Sequence, residues 1–156
     1  ERDLIPAARA LGMGVMPWSP LANGLLSGKY ATSAGPGCEA EAGRGAMISA
    51  NGRVTPEAVA VADVVNAVAD DLGATSAQVA IAWTLANPAV TAPLLGARTL
   101  AQLDDNLGAL DVALGADHLA RLNAASTFAP GFPHEFLTYD FIRAGLTGGT
   151  TVRTRG

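Results

Sequence analysis

Two short runs in this chain hold the residue types that grip an anion. The first, Trp18-Ser19-Pro20-Leu21-Ala22-Asn23-Gly24-Leu25-Leu26-Ser27-Gly28-Lys29, follows an apolar stretch. The second, Gly96-Ala97-Arg98-Thr99-Leu100-Ala101-Gln102-Leu103-Asp104-Asp105-Asn106, follows another apolar stretch and opens a helical pattern. A phosphate is held by backbone N–H groups, hydroxyls and a few cations, and α/β proteins gather these at the carboxyl ends of parallel strands. In the first run the Ser19 hydroxyl and the N–H groups of Leu21, Ala22 and Asn23 suit that task. Gly24 lets the backbone come close, and Lys29 adds a point charge. In the second, Gly96, Ala97 and Arg98 lead into a helix whose N-terminal dipole favours negative charge, and Arg98 offers a fork of donors. Gln102 and the Asp105–Asn106 pair follow at spacings of three and four, so they share one helix face.

The elements that must position these residues are legible from periodicity and caps. Leu4, Ile5, Ala8 and Leu11 line one face of a helix over Glu1 to Leu11, which Gly12 stops. Met13 to Trp18 is apolar throughout, as in a strand buried on both faces, and Pro17 marks its end. Residues 31 to 56 are rich in Gly, Ala and Ser and read as a long loop. Thr55-Pro56-Glu57 is a helix start, with Val61, Val64, Val65, Val68 and Leu72 inward and Gly73 as the stop. A second helix runs from Thr75 or Ser76 through Val79, Ile81, Ala82 and Leu85 and closes before Asn87-Pro88. Val90 to Leu95 is the second strand. Leu100 to Leu107 is a helix, and Gly115-Ala116-Asp117-His118 opens another with Leu119 and Leu122 inward. Phe128 to Gly156, with most of the phenylalanines among Gly and Pro, reads as an extended coil.

That order is α/β, with parallel strands joined by right-handed crossovers. Two strands leave both sheet edges open and cannot cover several amphipathic helices. The chain is therefore expected to belong to a larger domain or to associate with itself. Its 156 residues include 49% hydrophobic residues and carry a formal net charge of −4. An acidic balance argues against a nucleic-acid partner or an anionic membrane surface. With no apolar run near the ~20 residues of a membrane helix and no leader at the start, a cytoplasmic location is expected. The single Cys38 sets aside both an internal disulfide and a metal cluster, and no metal site is expected. Gly24 to Tyr30 falls short of a P-loop, because the glycine spacing is one residue too short and Tyr30 replaces the magnesium-binding hydroxyl. Asp70-Asp71 and Asp104-Asp105 are adjacent rather than facing, so neither forms an acid/base dyad. His118 sits on a polar helix face and reads as a solvated side chain.

Gly14-Val15-Met16-Pro17-Trp18-Ser19-Pro20-Leu21-Ala22 through Gly24-Leu25-Leu26-Ser27-Gly28-Lys29-Tyr30 resembles the seventh barrel strand and following loop of aldo-keto reductases. Ser76-Ala77-Gln78-Val79-Ala80-Ile81-Ala82-Trp83, Pro93 to Thr99, and Gln102 to Leu107 are similar to the family's seventh helix, eighth strand and eighth helix. The resemblance covers residues 1 to about 126 in order, and points to the bacterial branch related to potassium-channel β subunits. It implies the C-terminal part of an eight-stranded TIM barrel, about the last two βα units with flanking helices, followed by a tail over 127–156. Whole barrels of this kind run to about 250 residues.

The resemblance further implies hydride transfer from NADPH to an aldehyde or ketone. It maps cofactor contacts onto Trp18, Ser19, Pro20, Leu21, Ala22, Lys29, Gly96, Arg98, Gln102, Asp105 and Asn106. Trp18 stands where the family places an aromatic against the nicotinamide ring; a buried structural tryptophan is the alternative. The family's catalytic Asp, Tyr, Lys and His lie on earlier strands, so no catalytic residue is expected here. Tyr139, Asp140 and His134 do not replace them, because no lysine accompanies them and nothing places them at a strand end. Two functions are therefore open: the cofactor-binding portion of an NADP-dependent reductase acting on a small carbonyl substrate, or a non-catalytic relative that binds a nucleotide or a protein surface.

Overall fold

Thr55 is extended, with φ −98° and ψ 160°, and its hydroxyl accepts the N–H of Ala58 at 3.2 Å, so the helix that follows begins with one orphan donor already satisfied. Pro56 occupies a first-turn position where a missing N–H costs nothing. In this computed structural model, which describes residues 1–28, 54–148 and 150, the first helix is α1 (Leu4–Ala10). The helix from Thr55 is α2 (Pro56–Leu72), closed by Gly73 at φ 61°. It is followed by α3 (Ser76–Leu85), α4 (Leu100–Leu107), α5 (Ala116–Ala125), α6 (His134–Thr138) and α7 (Asp140–Thr147). Two 3-10 turns, Ala22–Ser27 and Gly108–Asp111, complete the regular structure. Lys29, Cys38 and the loop expected from residue 31 lie outside the described residues up to Val54.

Contacts divide the chain into two units, Glu1 with Asp3–Ser126, and Arg2 with Thr127–Gly156. The core of the first is built by α2, α3 and α5: Val65, Val68, Val79 and Leu122 are fully buried, with Ala69 and Ala80 between them. Small residues let α2 and α3 approach closely, and Val and Leu fill the seam. α3 is buried at Ala77, Val79, Ala80, Ile81 and Ala82, nearly all round, as befits a central helix. The Trp83 indole N–H donates to Asn123 Oδ1 at 2.9 Å, tying α3 to α5.

The two expected strands are corrected. Among the described residues no strand forms, and Met13–Trp18 and Val90–Leu95 meet only at two isolated parallel bridges, Val15 with Val90 and Trp18 with Leu94. Thr91 N–H donates to Val15 O at 2.8 Å. The regular next rung would use the N–H groups of residues 17 and 93, and both are proline. The ladder slips by one residue there, and Leu94 N–H donates to Pro17 O instead, at 2.8 Å. The Thr91 hydroxyl accepts Val15 N–H at 3.2 Å alongside the break. Nor are these segments buried on both faces: Met13, Met16, Trp18, Leu94 and Leu95 are exposed. Leu4 of α1 and Leu11 just after it are exposed as well, and of the expected apolar face only Ala8 is buried.

The second unit corrects the extended coil expected after Phe128, since α6 and α7 lie within it. Aromatic side chains in and beside these helices form a chain of ring contacts: Phe132 to Phe136 at 5.8 Å, Phe136 to Tyr139 edge-on at 6.4 Å, and Tyr139 stacked on Phe141 at 5.9 Å. Ring contacts of this kind contribute about 0.5–1.5 kcal/mol each beyond area burial, which helps short helices that lack a buried face.

Candidate functional site

The slipped register sets the geometry of the site. Because Trp18 bridges Leu94 in parallel, the chain leaves both segments in the same direction, and the turns beginning at Ser19 and Gly96 open at one end of the pair. Both runs singled out in the sequence are thereby brought together.

The first turn is anchored by packing and carries an unusual backbone. Leu25 is 5% exposed, and Leu21 and Leu26 pack against the core of α2, α3 and α5. Ser19, Ala22 and Asn23 all have positive φ, at 52°, 49° and 59°, and Gly24 follows at 107°. Such conformations cost non-glycine residues on the order of 1 kcal/mol or more and persist only where surrounding structure fixes them. Here Ala22 N–H donates to Ser19 O (2.9 Å), Gly24 N–H to Leu21 O (2.8 Å) and the Ser27 hydroxyl to Gly24 O (2.6 Å). The Ser19 hydroxyl donates to Asn23 Oδ1 at 3.4 Å. Gly28 closes the turn at φ 79° against α3; a Cβ there would lie 3.0 Å from the Ser76 hydroxyl, which itself donates to Asn66 Oδ1 at 2.7 Å.

The second turn is held by polar bonds. Thr99 caps α4 by accepting Gln102 N–H at 3.2 Å, and Gln102 Oε1 accepts the backbone N–H of Arg98 at 2.9 Å. Part of Gln102 is thus spent on shaping the turn. Arg98 is exposed and makes no ion pair among the described residues. Around Gly96 an added Cβ would meet nothing within 4 Å. Asp105 is half-buried, and its Oδ1 accepts from the Thr75 hydroxyl at 3.0 Å and from Gln78 Nε2 at 3.1 Å. Asn106 is 6% exposed, while Leu100, Leu103 and Leu107 of the same helix face outward.

Of the expected cofactor contacts, Trp18, Ser19, Pro20, Leu21 and Ala22 lie in the first turn and Gly96, Arg98, Gln102, Asp105 and Asn106 in the second. Lys29 lies outside the described residues. Trp18 is 73% exposed in this chain. A nucleotide fits this donor set: exposed Arg98 for an anion, positive-φ backbone in the first turn, open space at Gly96, and an Asp105 carboxylate with Oδ2 unengaged among the described residues. What sequence reasoning missed is the support beneath both turns, the N-terminal turn of α3. Its only sequence signal is the capping pattern from Thr75 to Gln78.

Elsewhere several titratable groups serve local structure. The Glu57 carboxyl is held below its ordinary value by a hydrogen bond to its own backbone N–H and one from the Thr55 hydroxyl. His118 Nδ1 accepts Gly115 N–H at 3.3 Å, a cap on α5, and Arg121 pairs with Asp71 at the surface. Among the described residues no cluster of His, Cys, Asp or Glu is arranged to hold a metal ion. No described helix is long and apolar enough to cross a membrane.

The Aldo/keto reductase family profile matches residues 1–127. The chain is 42% identical over 123 residues to an uncharacterized oxidoreductase, YrpG, of Bacillus subtilis, covering 79% of this chain and 35% of that protein. It is 36% identical over 112 residues to a probable voltage-gated potassium channel subunit beta of Arabidopsis thaliana, covering 72% and 34%. To the versiconal hemiacetal acetate reductase of Aspergillus parasiticus it is 32% identical over 122 residues, covering 78% and 35%. The chain thus spans about a third of the length of these relatives.

Proposed function

The chain belongs to the aldo/keto reductase family, and from that premise we propose that it is the C-terminal, cofactor-binding portion of an NADP(H)-dependent reductase of aldehydes or ketones. In this reading the bridged segments are the last two strands of a (β/α)8 barrel, and the two turns lie at its carboxyl-terminal face, where barrel enzymes gather their sites. NADPH supplies the hydride when bound; the residues here bind and orient it.

Trp18 stacks on the nicotinamide ring, and the Ser19 hydroxyl and the Leu21 N–H receive the pyrophosphate, with Pro20, which has no N–H, and Ala22, whose N–H is spent on Ser19 O, lining the turn and Lys29 adding charge. Gly96 and Arg98 take the ribose phosphate, and Gln102, Asp105 and Asn106 bracket the adenosine. The catalytic Asp, Tyr, Lys and His come from earlier strands, so this chain alone is inactive. The carbonyl substrate and the remainder of the barrel, or a second copy in its place, are the partners, in the cytoplasm.

The observation that carries this reading is the Trp18–Leu94 bridge, which opens both turns at one end. Its test is a titration of the purified chain with NADPH alongside an assay of NADPH oxidation with aldehydes and ketones. Binding without turnover is expected. Turnover by the chain itself contradicts the placement of the chemistry, and absence of binding contradicts the nucleotide site.

A further inference from the structure

The start of α3 does more than begin a helix. Thr75 accepts Gln78 N–H through its hydroxyl at 3.1 Å, and Gln78 Oε1 accepts Thr75 N–H at 3.1 Å, a reciprocal cap. That second bond fixes which end of the Gln78 amide is oxygen. The other end, Nε2, must then point away from the cap, and it donates to Asp105 Oδ1 at 3.1 Å. The Thr75 hydroxyl spends its own proton on the same oxygen at 3.0 Å. Each donor of the cap that the helix does not use is delivered to one atom of Asp105.

Gly108, directly after α4, leaves the room for this. A Cβ there would lie 2.4 Å from Gln78 Nε2 and 3.2 Å from its Cδ. A carboxylate on a helix face ordinarily samples several rotamers. With both donors on Oδ1, the Asp105 carboxylate is locked and Oδ2 is left for a ligand.

We propose that Thr75 and Gln78 are positioning residues for the nucleotide site, holding Asp105 in its ligand-accepting orientation, with Gly108 as the space that admits the Gln78 amide. This rests on the reading of Asp105 as an adenosine contact.

The test measures binding of adenosine 2′,5′-bisphosphate to the 156-residue chain by calorimetry. Asp105→Ala is expected to weaken binding about tenfold, the scale of one hydrogen bond to a charged group. Gln78→Glu keeps the oxygen that caps Thr75 but sets a carboxylate against Asp105, and is expected to weaken binding comparably with little change in helix content. The double variant is expected to bind no more weakly than Asp105→Ala alone, a non-additivity that general loosening of the fold does not produce. Thr75→Ser is expected to retain affinity and Thr75→Val to lose it. Should Gln78→Glu fail to fold, Gly108→Ala, which keeps every hydrogen-bonding group, makes the same measurement. Weak binding by Asp105→Ala with undiminished binding by Gln78→Glu or Gly108→Ala overturns the positioning role alone. No binding by the unaltered chain, or full affinity in Asp105→Ala, overturns the nucleotide reading and the positioning role with it.

Discussion

The two turns of the site solve the same problem by opposite means. The first is forced into shape by apolar packing beneath it, Leu25 being buried and Leu21 and Leu26 seated on the core, and it tolerates positive φ at Ser19, Ala22 and Asn23. The second has its leucines outward and is shaped by hydrogen bonds from Thr99, Gln102, Thr75 and Gln78. Packing can store backbone strain, because a core side chain is worth more than the strain it offsets. A hydrogen-bonded turn has no such reserve, so it keeps ordinary dihedrals and fixes side chains instead.

Substitutions break this contrast in graded steps. Leu25→Ala removes the buried anchor of the first turn and is expected to destabilise the chain by about 3 kcal/mol in urea unfolding, the cost of truncating a core leucine. A loss under ~1 kcal/mol would show that packing does not hold the turn. Gly28→Ala places a Cβ at φ 79° and 3.0 Å from the Ser76 hydroxyl, for an expected loss of about 1–2 kcal/mol. Thr99→Ala deletes the cap of α4 and is expected to cost about 1 kcal/mol, with loss of α4 helicity and little change at the first turn. Ala22→Gly runs the other way: relief of the left-handed conformation outweighs the added chain entropy, and about 0.5 kcal/mol of stabilisation is expected.

The same contrast governs what the sequence discloses. Helices α2, α3 and α4 are legible because their caps are adjacent in the chain: Thr55 with Pro56, Thr75 with Gln78, Thr99 with Gln102. The face of α4 is not: Leu100, Leu103 and Leu107 are exposed, while Asn106, expected on one polar face with Gln102 and Asp105, is the buried side chain. The two strands are over-read because apolar runs ignore ladder register, and Pro17 opposite Pro93 removes two donors from one rung. Asn23-Gly24 signals a left-handed turn, but nothing local announces the same conformation at Ser19 and Ala22. Helices α6 and α7 are missed because they are short, five and eight residues, with Gly131 and Pro133 before the first and Gly145 inside the second. The hold on Asp105 joins residues about thirty positions apart, beyond the reach of any periodicity.

The central claim, that these turns are the NADP side of a reductase site, is tested most directly by comparing nucleotides that differ only at the ribose 2′ position. The chain and its Arg98→Ala variant would each be titrated with NADPH and NADH. The account predicts that the chain favours the 2′-phosphate by about tenfold or more, from charge-assisted bonds to Arg98, and that Arg98→Ala erases the preference while still binding NADH. Equal affinities in the unaltered chain, or a preference that survives Arg98→Ala, would contradict it.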